Sequence, residues 1–196
     1  MTATKRAAAV LTGLALTVMS MSGCQWLAEN APGMPTPDPK PSVTPVETAQ
    51  ERQMRLDQEA AVKAYLTSSK EFDRLLMSGG ATKPTKVILS TTGGSHLEAL
   101  TSALEVVHDN GWRTDRPASR IVNANGGWSP SELGLTACED TSKVKFLGSK
   151  GKEVFKDRER RYVHTLTATK KDGAWKITNG ESKAVKSFET EGSCAT

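Results

Sequence analysis

Six prolines between Pro32 and Pro45 decide which part of this chain can fold. Each fixes φ near about −65° and removes an amide donor, so prolines interleaved with Thr, Ser, Asp and Lys hold the backbone close to polyproline II. Such a segment buries no core. Residues 24–47 therefore read as a stalk, a semi-rigid spacer of about 3.1 Å per residue with a reach of roughly 70 Å. The foldable stretch is 48–196, long enough for one hydrophobic core.

Ahead of the stalk, Lys5 and Arg6 precede an apolar run of twelve residues, Ala7 to Val18, which is the layout of a secretory signal over residues 1–23. Met21-Ser22-Gly23-Cys24 closes it. Small residues just before a cysteine let a processing peptidase reach the bond and let the thiol take a diacylglycerol, so lipidation at Cys24 is expected. Met21 stands where a branched aliphatic residue is usual, and no Ala-x-Ala pattern offers an ordinary cleavage site instead. The apolar run is shorter than the roughly 20 residues needed to cross a bilayer core. The expected location is the extracytoplasmic face of the cell membrane, with the membrane itself as a partner through the anchor at Cys24.

Removing the signal also removes Lys5 and Arg6, leaving 24 Lys/Arg against 22 Asp/Glu, so the basic balance of the whole chain is partly a targeting feature. There is no stacking series of aromatics and no dense basic stripe, which excludes nucleic acid as a partner. With Cys24 assigned to lipid, Cys138 and Cys194 remain as an even pair in an oxidising compartment. They read as a disulfide, with two buried free thiols as the alternative.

From Glu47 to about Leu76 the chain lacks Pro and Gly, and Ala61, Tyr65, Phe72, Leu75 and Leu76 recur at helical spacing beside Val62 and Leu66. Ser78-Gly79-Gly80 and Lys83-Pro84 end this helix. A second helix is expected to start at Ser95, capped by its hydroxyl and by Glu98 in a capping box. Leu97, Leu100, Leu104 and Val107 form its stripe, and Asn110-Gly111 stops it. His108 near that end is favoured there when protonated.

Beyond Gly111 the period turns toward two, with strand-like runs Arg120 to Asn125, Leu133 to Leu147, Arg161 to Thr169 and Trp175 to Phe188. Lys150-Gly151 and Asp172-Gly173 read as hairpin turns. In the third run Tyr162, His164, Leu166 and Ala168 share one face, and Val163, Thr165, Thr167 and Thr169 the other. Helices followed by a four-stranded antiparallel meander make an α+β domain.

From about Gln50 to Cys194 the chain resembles a nuclear transport factor 2-like domain of the kind found in small actinobacterial lipoproteins. The resemblance rests on Gly93-Gly94 opening a helix that ends in Asn110-Gly111-Trp112-Arg113, on Ala137-Cys138-Glu139-Asp140, on Asp172-Gly173-Ala174-Trp175-Lys176, and on Cys194 near the terminus. It implies a cone, in which N-terminal helices pack on a curled antiparallel four-stranded sheet with room for a pocket. Fold does not fix activity. Some members are isomerases or cyclases, whose chemistry needs a buried carboxylate base beside an acidic hydrogen-bond donor. Tyr65, Tyr162 and His164 are the candidate pocket residues, with Asp73, Glu139 and Asp140 as the acids within their reach in such a cone.

Against that chemistry stand ordinary roles: Tyr65 packing in the helix stripe, Asp73 in solvent, His164 as a satisfied strand histidine. No catalytic residue, no buried acid/base pair and no cofactor are expected. His96, His108 and His164 are far apart, and no His-x-x-x-His or Cys-x-x-Cys spacing supports a metal. Residues 143–161 hold eight Lys/Arg against three acids, a surface that could meet an envelope protein or an anionic polymer. Trp112 and Trp128 are contact candidates, with core cover the favoured role for Trp128.

The function expected from these features is a membrane-tethered, non-enzymatic binding or interaction module. The alternatives are a small-molecule carrier or isomerase-type enzyme using the cone, and a phage-encoded lipoprotein that excludes superinfection. Fatty-acid labelling checks the anchor: wild-type protein takes up label and partitions with membranes, and Cys24→Ser takes up none. Unlabelled wild-type protein found wholly in the medium contradicts it.

Overall fold

A computed structural model describes residues 47–189 and Cys194, so the signal, Cys24 and all but the last residue of the stalk lie outside the described residues. Among the described residues no helix is long and apolar enough to cross a membrane. Among the described residues three helices, α1 (Ala49–Met77), α2 (Lys86–Thr91) and α3 (Gly94–Asp109), precede seven strands. These are β1 (Arg113–Thr114), β2 (Ser119–Asn123), β3 (Glu132–Asp140), β4 (Phe146–Leu147), β5 (Glu153–Val154), β6 (Arg161–Lys171) and β7 (Ala174–Ala184). The long strands form a four-stranded sheet in the order β2-β3-β6-β7, antiparallel throughout, and β1, β4 and β5 form a small second sheet.

The chain is thus an α+β domain with helices packed on an antiparallel four-stranded sheet. Helix α1 starts at a capping box: the Thr48 hydroxyl accepts from the Glu51 amide at 3.2 Å, and Glu51 accepts from the Thr48 amide at 2.8 Å. A row at i+4 spacing (Asp57, Ala61, Tyr65, Ser69 and Asp73) is buried on its inner side. Leu66, expected beside that stripe, is 43% exposed on the other side.

Ala61 and Tyr65 join Leu133, Leu135, Ala137, Leu166, Ala168, Trp175 and Ile177 in the main core. Each Leu or Ile buried there contributes about 1.5–3 kcal/mol. Leu75, Leu76, Ile88, Leu104 and Val107 form a second cluster where α1, α2 and α3 meet. The face alternation expected for β6 holds, with Leu166 and Ala168 in the main core and Val163 against the opposite side of the sheet. A register shift between Thr167 and Ala168 bends the β6–β7 pair. Asp172 (φ 53°) and Gly173 (φ 79°) supply the two left-handed positions of its hairpin turn.

Three expectations need correction. The capping box at Ser95 does not form: α3 begins at Gly94 with Gly93 at its cap, and the Ser95 hydroxyl donates to Asn179 Oδ1 at 2.9 Å. The reason is tertiary. The Gly93 amide donates to the Ile177 carbonyl, and Gly94 (φ 52°) lies so close to Thr178 that a Cβ would stand 2.5 Å from its carbonyl oxygen. Next, the run 133–147 is not one strand, because the Ser142 amide bonds back to Asp140 Oδ1 and the Val144 amide to the Thr141 carbonyl, turning the chain into the second sheet. Finally, the segment after Pro84 forms the short helix α2, held by Thr85 at its cap.

Trp112 and Trp128 are both partly buried and packed against core clusters. The basic stretch is also less free than its composition suggests. Arg158, Arg160 and Arg161 donate to backbone carbonyls, while Lys143, Lys145, Lys150, Lys152 and Lys156 stay exposed.

Cys138 on β3 and Cys194 are bonded, Cα atoms 5.8 Å apart, and with Val163 and Val185 they close the sheet face opposite the helices. A bridge between residues 56 apart in sequence stabilises by about 4 kcal/mol on the chain-entropy account. Denaturant unfolding of Cys194→Ala against wild type, with the other cysteine blocked, should show a loss of that order. A loss below about 1 kcal/mol would mean that Val163 and Val185 hold this face without the crosslink.

Candidate functional site

A line of polar side chains crosses all four long strands beneath α1. Arg120 on the edge strand β2 is the register partner of Glu139 on β3. Its Nε donates to Glu139 Oε2 at 2.7 Å, and its Nη1 and Nη2 donate to the two oxygens of Asp73 on α1, the second at 3.0 Å. Glu139 Oε2 in turn lies 4.0 Å from His164 Nε2 on β6, and His164 Nδ1 lies 2.7 Å from Ser182 Oγ on β7.

Arg120 and Asp73 expose only 9% and 8% of their side chains. Burial works against the charge on Arg120, but the hydrogen bonds it donates to Asp73 and the fields of Glu139 and Asp73 outweigh it and hold its pKa above the usual value. An Arg fork bound to carboxylates on two elements ties α1 to the sheet. Removing the guanidinium alone would leave two carboxylates without their cation, a change that typically costs about 3–5 kcal/mol at a buried pair. Asp73 is therefore not the solvated residue expected from sequence.

Tyr65, about two turns along α1 from Asp73, is raised above its ordinary pKa by burial first and by the charge of Glu139 second, with Arg120 pulling the other way. His164 is lowered, by burial first; Glu139 opposes the shift and Arg120 adds to it. His96, in the first turn of α3, is lowered to about 4 by burial, with His164 contributing. Gly180 on β7 makes room for His96 and Leu166, since a Cβ there would lie 3.4 Å from His96 Nδ1 and 2.6 Å from Leu166 Cδ2.

Above this line lies a cavity of about 590 Å³. Asp73, Arg120 and Glu139 reach it from below, Phe72 and Leu76 from α1, and Ala99, Ala103 and Val106 from α3. Trp112, Val144, Phe146 and Phe155 complete an apolar wall, with Thr114, Arg116, Arg158 and Tyr162 among the polar lining. Val106 is 49% exposed and Phe155 47%, so the cavity presents large apolar side chains to solvent. Phe155 holds φ 57°, a left-handed conformation that costs a bulky residue about 1–2 kcal/mol. Its ring meets Trp112 edge-on at 4.6 Å and lies 6.1 Å from Phe146.

A larger groove of about 1040 Å³ runs along α1 and shares Asp73, Ala118 and Arg120 with the cavity. Its lining mixes Glu59, Lys63, Lys70, Glu71 and Arg74 with Val62, Leu66, Met77 and Val87, but it has no aromatic wall. The smaller cavity, with aromatic walls over a buried ionic floor, is the better ligand site.

Of the three pocket residues expected from sequence, Tyr162 lines the cavity, its hydroxyl donating to the Glu159 carbonyl at 2.9 Å. Tyr65 lies in the main core, and His164 sits behind Glu139. Asp140 pairs with Arg161 at 3.4 Å instead. Sequence reading missed Arg120, Thr114, Phe155 and Arg158. For Arg120 a signal existed, because it alternates with Val122 on the face that packs toward the core. Among the described residues no group of His, Cys, Asp and Glu is placed to hold a metal ion.

No protein-family model and no curated protein matches the chain. Solved structures similar to it include the intermembrane space region of chloroplast protein ARC6, with 15% identity and a TM-score of 0.47, covering 66% of this chain and 98% of that one. A protein proposed to be a scytalone dehydratase from Novosphingobium aromaticivorans has 15% identity and a TM-score of 0.37, covering 68% and 87%. An NTF-2 like protein from Shewanella oneidensis has 14% identity and a TM-score of 0.35, covering 66% and 98%.

Burial of neutral His96 links stability to pH. Its folded pKa of about 4 lies below the unfolded value of 6.5, so the unfolded chain binds the proton first as pH falls. The contribution of neutral His96 is intact above pH 6.5 and lost progressively down to about 4, and His164 acts in the same direction. Denaturant unfolding from pH 7.5 to 4 should therefore show a smaller loss for His96→Gln than for wild type. Equal slopes would mean that His96 is accessible to protons in the folded state.

Proposed function

We propose that this chain is a nuclear transport factor 2-like domain, tethered at the extracytoplasmic face of a membrane through Cys24, that binds a small molecule without transforming it. One observation carries the reading: a cavity of about 590 Å³ joins apolar walls to a floor whose two acids are both bound to Arg120. Its size falls within the range of small-molecule sites. Val106 and Phe155 stay exposed there at a cost that a bound apolar ligand would relieve.

Binding is favoured over proton transfer because arginine keeps its proton, and the two carboxylates on the floor already accept from it. Tyr162, the phenol of the lining, donates to a backbone carbonyl. Tethering rests on the sequence of residues 1–24, and a stalk would keep the cavity clear of the bilayer.

A neutral apolar dye such as Nile red tests the cavity without presuming a head group. Wild-type protein should bind it saturably at one site. Ala103→Trp, on the exposed cavity-facing side of α3, should fill the space and abolish binding with little change in stability. Dye binding that survives Ala103→Trp unchanged would place the dye elsewhere and remove the support for a cone site.

A further inference from the structure

The cavity wall around Phe146 carries polar groups that apolar packing does not explain. Thr114 on β1 is the register partner of Phe146 on β4, and Arg158 Cζ stands 5.1 Å from the centre of the Phe146 ring. Register partners project to the same side of a sheet, so the Thr114 hydroxyl, the Phe146 ring and the Arg158 guanidinium border one patch. All three line the cavity.

Thr114 is only 5% exposed, and its Oγ1 has no hydrogen-bond partner among the described residues. A buried hydroxyl left without a partner is costly and calls for an explanation. Arg158 shows the complementary lack. It donates to Thr141 Oγ1 at 2.6 Å, to the Thr141 carbonyl at 3.2 Å, to the Val144 carbonyl at 2.7 Å and to the Glu159 carbonyl at 3.1 Å. Every one of these acceptors is neutral. The other two arginines of the cavity are matched, Arg120 to Asp73 and Glu139 and Arg116 to Asp115, whereas Arg158 makes no ion pair among the described residues.

A hydroxyl lacking an acceptor and a cation lacking an anion thus meet at one patch, and a carboxylate satisfies both at once. Arg120 already neutralises much of the negative charge on the floor. We propose that the cavity binds a free monoanionic amphiphile, its carboxylate against Arg158 and Thr114 and its apolar body along Val106, Trp112 and Phe155. This rests on the cavity reading above and adds the ligand class.

The test uses the full chain carrying Cys24→Ser, with decanoate and decanol each displacing Nile red. Decanoate should displace the dye at a roughly tenfold lower concentration than decanol, as one charge-assisted hydrogen bond would give. Thr114→Val should hold or raise the melting temperature, because it removes an unpartnered hydroxyl, yet shrink the decanoate advantage. A merely structural Thr114 would not separate those two readouts. Arg158→Met should abolish the advantage, and Arg158→Lys should restore part of it.

Equal displacement by decanoate and decanol, with saturable dye binding intact, would overturn the anionic ligand and leave the cavity reading standing. Absence of saturable dye binding would overturn the cavity reading itself. Thr114-dependent sedimentation with phosphatidylglycerol vesicles, without any response to decanoate, would overturn a free ligand in favour of a lipid head group.

Discussion

Arg120 is the point on which helix, sheet and cavity depend together. Its guanidinium spends Nε on Glu139 of the sheet and Nη1 and Nη2 on Asp73 of α1, so one planar fork fixes the helix against the edge strand. Edge strands are the least constrained members of a sheet, and β2 has a single strand neighbour. Here the pairing of β2 with β3 is supplemented by an ionic tie to a different layer. Such a tie is sensitive to composition, because removing either kind of partner leaves buried charge without compensation.

The same fork sets the polarity of the cavity. Without Arg120 the floor would present two carboxylates and repel an anion; with it, half of that negative charge is neutralised, and Arg158 brings a further unmatched cation to the cavity lining. The exposed apolar side chains belong to the same design. Val106 on α3 and Phe155 beyond β5 are left open to solvent at the cavity, and Phe155 is held in a left-handed conformation by contacts with Trp112 and Phe146. Strain and exposure coincide at one place, which is where a binding site is expected to sit.

Much of the framework was legible because it follows from local chemistry. The long first helix with Ala61 and Tyr65 in its stripe, the alternation in β6 and the Asp172-Gly173 turn each need only sequence spacing and backbone preference. Capping shows the limit. Thr48 with Glu51 and Ser95 with Glu98 carry the same signature, yet only the first forms, since Gly93 and Gly94 are pinned to β7 and draw Ser95 onto Asn179. The site was less legible for the same reason. The row Asp57-Ala61-Tyr65-Ser69-Asp73 shows that Asp73 faces inward, and the Arg120–Val122 alternation shows the same for Arg120. Their meeting across 47 positions is a tertiary fact. Thr114, Phe155 and Arg158 lie in short strands and turns, where periodicity carries no signal.

The buried ionic line also bears on what the cone can do. In a site that moves protons, a carboxylate must be able to change its protonation state as the reaction proceeds, and its partners must allow it. Asp73 and Glu139 instead accept hydrogen bonds from a group that stays charged at every accessible pH, the first bond tying α1 to the sheet and the second joining β2 to β3. His164 stands 4.0 Å beyond Glu139, behind the floor of the cavity, with its other nitrogen on Ser182. His164 Nε2 is buried there without a hydrogen-bond partner, whereas the Thr114 hydroxyl and the charge of Arg158, which also lack a matching group among the described residues, line the cavity itself.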